Sequence, residues 1–380
     1  MQGYSEYELG DLLEYEQPTA YTVESTDYSD SYSVPVLTAG KSFILGYTNE
    51  MEGVFDKTPV IIFDDFTTAT QYVNFPFKVK SSAMKILHIN KDLVLLKYIY
   101  YRIQIIQFDH STHKRYWIQQ YSKIRVSIPP IPEQERIVAR IEELFSQLDA
   151  GVETLKKTKA QLAVYRQAVL KEAFEGDYPR KQLKEFSKAI SGFAFKSSRY
   201  SPDGNYVVVK IGNVKERHFD FSRDLTKTLE ADDSILEKYL LRRGDCLITL
   251  TGSRGKRDYG FVAMVGNQNN YLLNQRVAAL RFDQSVALPE FFQYYLASPS
   301  YRDMFFGYEN GNVGQGNVGI KALLDPYVIL PDIDTQKRIV EDVEDRLSVC
   351  DRIEQTVDTA LQQAEAMRQS ILKDAFEGRL

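Results

Sequence analysis

Cysteine is nearly absent from this 380-residue chain. There are two, Cys246 and Cys350, each within an apolar pattern and neither with a ligand partner at metal spacing. No disulfide framework or cysteine-held metal centre is therefore expected. Tryptophan occurs once, against 25 Tyr and 21 Phe, and histidine only four times. His110 and His113 lie three apart, but no third ligand completes a set. No apolar run approaches the ~20 residues that a membrane span requires. The opening Met1-Gln2-Gly3-Tyr4-Ser5-Glu6 lacks a charged-then-apolar leader pattern, so a cytoplasmic protein is expected. Positive charge is also lacking, since the net charge is −5. A free-standing, strongly basic nucleic-acid binder is thereby disfavoured. Any DNA contact must rest on local basic patches or on cationic surface supplied by partner subunits.

What the chain has is a repeat. Pro129–Gly176 returns at Pro331–Gly378 under a constant shift that takes Gln134 to Gln336, Arg136-Ile137-Val138 to Arg338-Ile339-Val340 and Ala173-Phe174-Glu175-Gly176 to Ala375-Phe376-Glu377-Gly378. No gap is needed, so one structural unit is used twice. Apolar residues recur every seven positions: Ile141, Leu148, Leu155, Leu162 and Val169, then Val343, Cys350, Val357, Ala364 and Ile371. Leu144, Tyr165, Ile353, Ala360 and Met367 are read as widening this stripe. The pattern predicts two long helices with a heptad seam, each seeking another helix. Gly176 and Gly378 are read as their stops. The simplest partner for each is the other copy, packed antiparallel.

The repeat divides the chain into four parts: strand-rich 1–128, helix 129–176, strand-rich 177–330 and helix 331–380. The strand-rich blocks echo each other. Leu9-Gly10-Asp11 answers to Leu183-Lys184-Glu185, and Val36-Leu37 to Val208-Val209. Val60-Ile61-Ile62 answers to Cys246-Leu247-Ile248, and Leu95–Ile99 to Phe292–Leu296. A drifting offset is what two related domains with different loops would produce.

The search for catalysis returns little. Gly252-Ser253-Arg254-Gly255-Lys256 fails as a phosphate loop because Leu250 stands where its first glycine belongs. Gly311–Gly316 lacks the strand–helix context of a dinucleotide site. Asp64-Asp65 and Asp232-Asp233 read as turn acids, with a nuclease centre as the sharper alternative. Binding signals are richer. Several inferred loops mix basic, amide, hydroxyl and aromatic side chains, the kit for base edges and phosphates. In the first block these offer Gln17, Thr19, Tyr21, Lys41, Thr68, Gln71, Lys114 and Arg115. In the second they offer Phe195, Lys196, Ser253, Arg254, Lys256, Asn312 and Gln315.

Two variable blocks, each followed by a near-identical helix, resemble the specificity (S) subunit of Type I restriction-modification systems. The motifs that carry the resemblance are Ile128-Pro129-Pro130-Ile131-Pro132-Glu133-Gln134-Glu135-Arg136-Ile137 and Gln167-Ala168-Val169-Leu170-Lys171-Glu172-Ala173-Phe174-Glu175-Gly176. The second copy departs at Asp332, Asp334 and Thr335. The resemblance implies an α+β chain: two mixed α/β target recognition domains, separated by a long antiparallel two-helix coiled coil, with an internal pseudo-twofold repeat. It implies that each domain reads half of a bipartite double-stranded DNA site while the helices set the spacer. It implies docking of two methylation subunits, and of restriction subunits in the larger complex. S-adenosylmethionine, ATP and Mg would sit on those partners, and this chain would be non-catalytic. The alternative reading is a paired-domain scaffold that binds only proteins.

Overall fold

A computed structural model describes residues 3–40, 42–89, 92–110, 115–228, 232–312 and 314–380. The chain divides into two compact units, Met1–Lys156 with Asp358–Leu380, and Lys157–Val357. Each unit holds one strand-rich block and a stretch of both long helices.

The first unit runs β1 (Ser5–Glu8), α1 (Leu9–Leu12), β2 (Leu13–Glu16), β3 (Val34–Leu37), β4 (Ile44–Thr48), β5 (Val60–Asp64), β6 (Thr70–Val73), β7 (Lys78–Val79), β8 (Met84–Ile89), α2 (Leu96–Ile103), β9 (Arg125–Ile128) and the start of α3 (Ile131–Ala173). The chain continues through β10 (Arg180–Gln182), β11 (Ser187–Ser191), β12 (Tyr206–Val209), β13 (Lys227–Thr228), α4 (Asp233–Tyr239), β14 (Cys246–Thr249), β15 (Thr251–Ser253), β16 (Val262–Met264), β17 (Tyr271–Leu273) and β18 (Val277–Phe282). There follow α5 (Pro289–Ala297), α6 (Pro299–Gly307), β19 (Gln315–Asn317), α7 (Lys321–Leu324), β20 (Tyr327–Ile329) and α8 (Ile333–Phe376), whose last turns belong to the first unit.

Both units follow one strand plan. An antiparallel sheet ordered β2-β8-β5-β6 in the first unit matches β11-β18-β14-β16 in the second. A three-stranded sheet ordered β4-β3-β7, one pairing antiparallel and one parallel, matches β13-β12-β17. The ribbons β1–β9 and β10–β20 also correspond, and among the described residues β15–β19 is found in the second unit alone.

Strands β5 and β14 are buried on both faces, which is why they read as unbroken apolar runs rather than alternating ones. Ile61 and Phe63 enter the core that holds α2 and the start of α3, while Val60 and Ile62 join Leu37 and Val79 on the other side. Cys246 and Ile248 face Phe291 and Phe292 of α5, and Leu247 faces Val209 and Leu273. This register corrects the sequence-based echo. Tyr15, Leu87 and Ile61 form one cross-strand row, and Ala189, Leu280 and Cys246 form its counterpart, so Ile61, not Val60, answers to Cys246. A one-residue slip exchanges the two faces of a strand, and an apolar run buried on both sides cannot encode which is which.

Two buried glutamines tie each block to its helix. Gln134, fully buried, accepts a hydrogen bond from Leu95 N (2.8 Å) and donates from Nε2 to the carbonyls of Leu93 and Pro129 (2.8 Å each). Gln336 accepts from Leu288 N and donates to the carbonyls of Val286 and Pro331, at 2.8 Å throughout. A carboxamide has one acceptor and two donors, so a single side chain caps the short helix and closes the turn before the long one. The clamp also matches Leu95 with Leu288, one helical turn from the expected Phe292. Glu142 and Glu344 add a second repeated contact, to the hydroxyls of Tyr101 (3.5 Å) and Tyr294 (3.4 Å).

Along the long helices, Ile141, Leu162, Val169, Val343, Cys350, Val357 and Ala364 are buried, and Leu148, Leu155 and Ile371 half-buried. The stripe widens toward Leu347 and Ala375, four residues beyond a seam position, whereas Tyr165, Ile353 and Met367, three beyond, are exposed. Leu144 and Ala360, also three beyond a seam position, are half-buried as expected. In the first unit Asp149 pairs with Arg368; in the second Asp351 pairs with Arg166 at 2.7 Å. These are the same pair under the repeat shift. Gly378 (φ +76°) follows the end of α8 as a left-handed stop. Helix α3 ends at Ala173, ahead of Gly176, where a Cβ would lie 2.5 Å from the Tyr178 ring.

Replacing Gln134 or Gln336 by Leu leaves one N–H and two carbonyls unpaired, a loss of about 1–3 kcal/mol each. Urea unfolding checks this, and hydrogen exchange should show the first amides of α2 or α5 opening selectively. A second expectation concerns pH. Glu50 accepts from Lys78 and from the Ser25 and Glu24 amides, which hold its carboxyl down at about 2. Its contribution is complete above the unfolded carboxylate range near ~4.3 and is lost as pH falls toward about 2. Glu50→Gln should therefore lower the melting temperature at neutral pH, and that difference should vanish across this acid window.

Candidate nucleic-acid interface

The loops that leave β5 and β14 are held in matching ways. Asp65 N donates to Ala83 O and Tyr116 N to Asp65 O; in the second unit Leu250 N donates to Arg276 O and Val318 N to Leu250 O. Asp65 thus corresponds to Leu250, Ala83 to Arg276 and Tyr116 to Val318. Three segments converge at that point in each unit, and seven of the fifteen candidate residues lie on them.

In the second unit β15 and β19 form a short antiparallel tongue, with Gly252 opposite Gly316. A Cβ at either glycine would collide, with the Tyr259 ring at 2.6 Å or with Glu309 Oε1 at 2.4 Å. Ser253 N donates to Asp258 Oδ1 (2.7 Å), and the hydrogen bonds from Ser253 hold that carboxyl below its usual range. Arg254 Nη1 reaches Gly311 O (2.9 Å), Thr251 Oγ1 reaches Asn317 Oδ1 (3.1 Å) and Tyr259 OH reaches Glu309 Oε1 (2.7 Å). Behind the loop Arg302 donates to the carbonyls of Arg257, Tyr259 and Gly260, and burial pulls its guanidinium below the usual range. A recess of about 540 Å³ opens between the tongue and the β17–β18 turn, edged by Thr251, Gln275, Arg276, Asn312, Gln315 and Asn317. Lys256 is exposed on the adjoining turn.

In the first unit Asp64 Oδ1 accepts from Phe66 N (2.9 Å) and Thr67 N (2.8 Å), and Thr68 takes a left-handed backbone (φ 56°). His110 Nε2 lies 2.9 Å from Thr68 Oγ1 and 3.0 Å from Thr67 O. Asp65 is buried, accepts from Trp117 N (2.7 Å) and pairs with Lys85 (3.5 Å). These acids hold a turn and a core, and no group of His, Cys, Asp or Glu among the described residues is arranged to hold a metal. Arg115 is exposed beside this turn.

The structure thus brings together Ser253, Arg254, Lys256, Asn312 and Gln315, and sets Thr68 and Arg115 at the matching place. The other candidates sit elsewhere. Gln17 accepts from Lys85 Nζ (2.5 Å) and donates to Ser82 O (2.7 Å). Tyr21 donates to Glu16 (2.7 Å) and abuts Phe55, and its hydroxyl pKa is raised chiefly by that bond to Glu16. Thr19 is exposed on the turn Pro18–Tyr21. Gln71 lies within β6 opposite Ile62, a strand position rather than a loop. Phe195 packs on Phe193, with Lys196 exposed beside it. Lys41, His113 and Lys114 lie outside the described residues. Sequence reasoning missed Gln275 and Arg276. Their signal was present, as a polar Asn274-Gln275-Arg276 step between two apolar strands, which is how a tight turn that exposes long side chains reads.

Among known proteins, the Type I restriction modification DNA specificity domain family matches this chain twice, at residues 1–163 and 175–363. The EcoR124I/EcoR124II Type I restriction enzyme specificity subunit of Escherichia coli is 44% identical over 196 residues, 48% of this chain and 48% of that protein. The EcoKI specificity subunit of E. coli K12 is 29% identical over 279 residues, 68% of this chain and 58% of that protein. The chain thus spans about half the length of the curated relatives it matches. Two solved structures share the fold at 18% identity. One chain, from work on complex assembly and conformational transition of the type I R-M system, gives a TM-score of 0.72 over 100% of this chain and 99% of that one. The HsdS subunit of Thermoanaerobacter tengcongensis gives 0.51 over 100% and 98%. With one strand plan built twice and one family matched twice along it, this chain belongs to the Type I restriction modification DNA specificity domain family.

Proposed function

We propose that this chain is the sequence-reading subunit of a Type I restriction-modification complex in the cytosol. Each strand-rich block reads one half of a bipartite double-stranded DNA site. The observation that carries the reading is the pair of matched loop clusters, one per unit, set on the same strand plan but furnished with different side chains. Such loops offer hydrogen-bond groups to base edges in the major groove, where each base pair has its own pattern. The scaffold beneath is the repeated part, consistent with fixed placement and variable reading.

Helices α3 and α8, of 43 and 44 residues, are each about 65 Å long at ~1.5 Å per residue. Packed along their whole length as one coiled coil, they would hold the readers at a fixed separation, far more stiffly than a flexible linker. Major grooves on one face of B-DNA recur about every 34 Å, so a rod of this kind sets the unread spacer. The near-identical repeats offer two equivalent docking places, suited to two methylation subunits, with restriction subunits joining the full complex. S-adenosylmethionine, ATP and Mg belong to those partners in this reading, and this chain contributes no catalytic group. Its net charge of −5 fits a clamp whose cationic surface is shared with partners.

Gel shifts with random-sequence duplex, with and without methylation subunits, test the proposal: preferential binding is expected with them, and its absence would sink the reading. Lys256→Ala should weaken binding evenly across sequences and reduce the salt slope by about 0.9, without altering assembly. Inserting one heptad into each long helix should lengthen the spacer and leave both half-sites unchanged. Altered half-sites would contradict the role of the rod.

A further inference from the structure

We infer that Arg276 is the guanine-reading residue of the second unit, and that the first unit, with Ala83 at the same place, has no counterpart to it. This rests on the DNA-recognition reading above and assigns chemistry within it.

Arg276 stands in the turn between β17 and β18, with its carbonyl bonded to Leu250 N and its side chain at the edge of the 540 Å³ recess. Its backbone is left-handed (φ 70°), a conformation that residues other than glycine rarely adopt. Glycine would take it without strain, so what this position supplies is the arginine side chain. Three of the four left-handed non-glycine residues in the described chain, Thr68, Arg257 and Arg276, lie on the loops that converge beyond β5 and β14. Residues held this way cluster at ligand clamps, where surrounding structure fixes their direction.

The guanidinium is also uncommitted. Among the described residues Arg254 is bonded to Gly311 O, Arg257 to Asp303 and Arg281 to Asp245, whereas the Arg276 side chain makes neither a hydrogen bond nor an ion pair. No acidic residue edges the recess, so nothing there competes for its charge. Its neighbours Gln275, Asn312 and Gln315 are exposed amides. An arginine fork matches the N7 and O6 acceptors of guanine, as an amide matches N7 and N6 of adenine. A fork held among amides therefore suits base edges, while Lys256 on the outer turn suits a phosphate. The corresponding turn in the first unit carries Ser82 and Ala83, and Ser82 O already accepts from Gln17 Nε2. The two half-sites should then differ in kind.

Selection from a random-sequence duplex library tests this, using the full chain assembled with methylation subunits, as wild type, Arg276→Lys and Arg276→Gly. The lysine variant keeps the charge but loses the fork, and the glycine variant relaxes the backbone, so its melting temperature should not fall. Wild type should enrich guanine at one position of one half-site. Both variants should lose that preference about tenfold to a hundredfold, with the other half-site unchanged. If both retain the guanine and Arg276→Gly binds every sequence more weakly with a smaller salt slope, the contact is to phosphate and the inference is wrong, though the recognition reading survives. If wild type enriches no sequence at all, the inference falls together with that reading.

Discussion

A carboxamide removed from water must satisfy one acceptor and two donors, and Gln134 and Gln336 do so with the same three backbone groups in each unit. Each glutamine fixes the first turn of a long helix to the short helix of its own block. The direction of the helix is thereby set relative to the sheet, and with the sheet the loops beyond β5 and β14. Two further repeated contacts, Glu142 and Glu344 to tyrosine and Asp149 and Asp351 to arginine, lie along the long helices. They are partly exposed and worth little singly. Without the buried clamp they would have no fixed geometry to reinforce.

A scaffold fixed this way frees the loops to diverge. Leu250 and Asp65 occupy one position, yet one is apolar and the other a buried acid paired with Lys85. Among the described residues the tongue β15–β19 occurs only in the second unit, backed by Arg302 on three carbonyls and built on two glycines with no room for a Cβ. Such differences alter what is presented while leaving the placement of the site unchanged, a division suited to two readers on one frame.

Much of this was legible in the sequence, and the gaps have physical causes. The gapless repeat identified both long helices and most of the buried seam, because a heptad pattern records which face is covered. Of the positions expected to widen the stripe, Leu144 and Ala360 are half-buried, whereas Tyr165, Ile353 and Met367 are apolar but exposed. The echoes between the blocks slipped by one residue at Val60, where a continuous apolar run carries no register, and by a helical turn between α2 and α5. Of the candidate contacts, five converged on one loop cluster, whereas Gln17 and Tyr21 are committed to Lys85, Ser82 and Glu16. Composition identifies a polar loop but not whether its groups are already bonded. Arg276 escaped notice because its value lies in backbone conformation and the absence of a partner, neither of which a sequence displays.

The most direct test of one frame carrying two readers is single-molecule mapping of modified bases in DNA from cells that express this chain with the methylation subunits proposed for it. The account predicts modification at two short, chemically different half-sites, separated by a spacer of constant length and random sequence. A single contiguous site, or half-sites at variable separation, would contradict it.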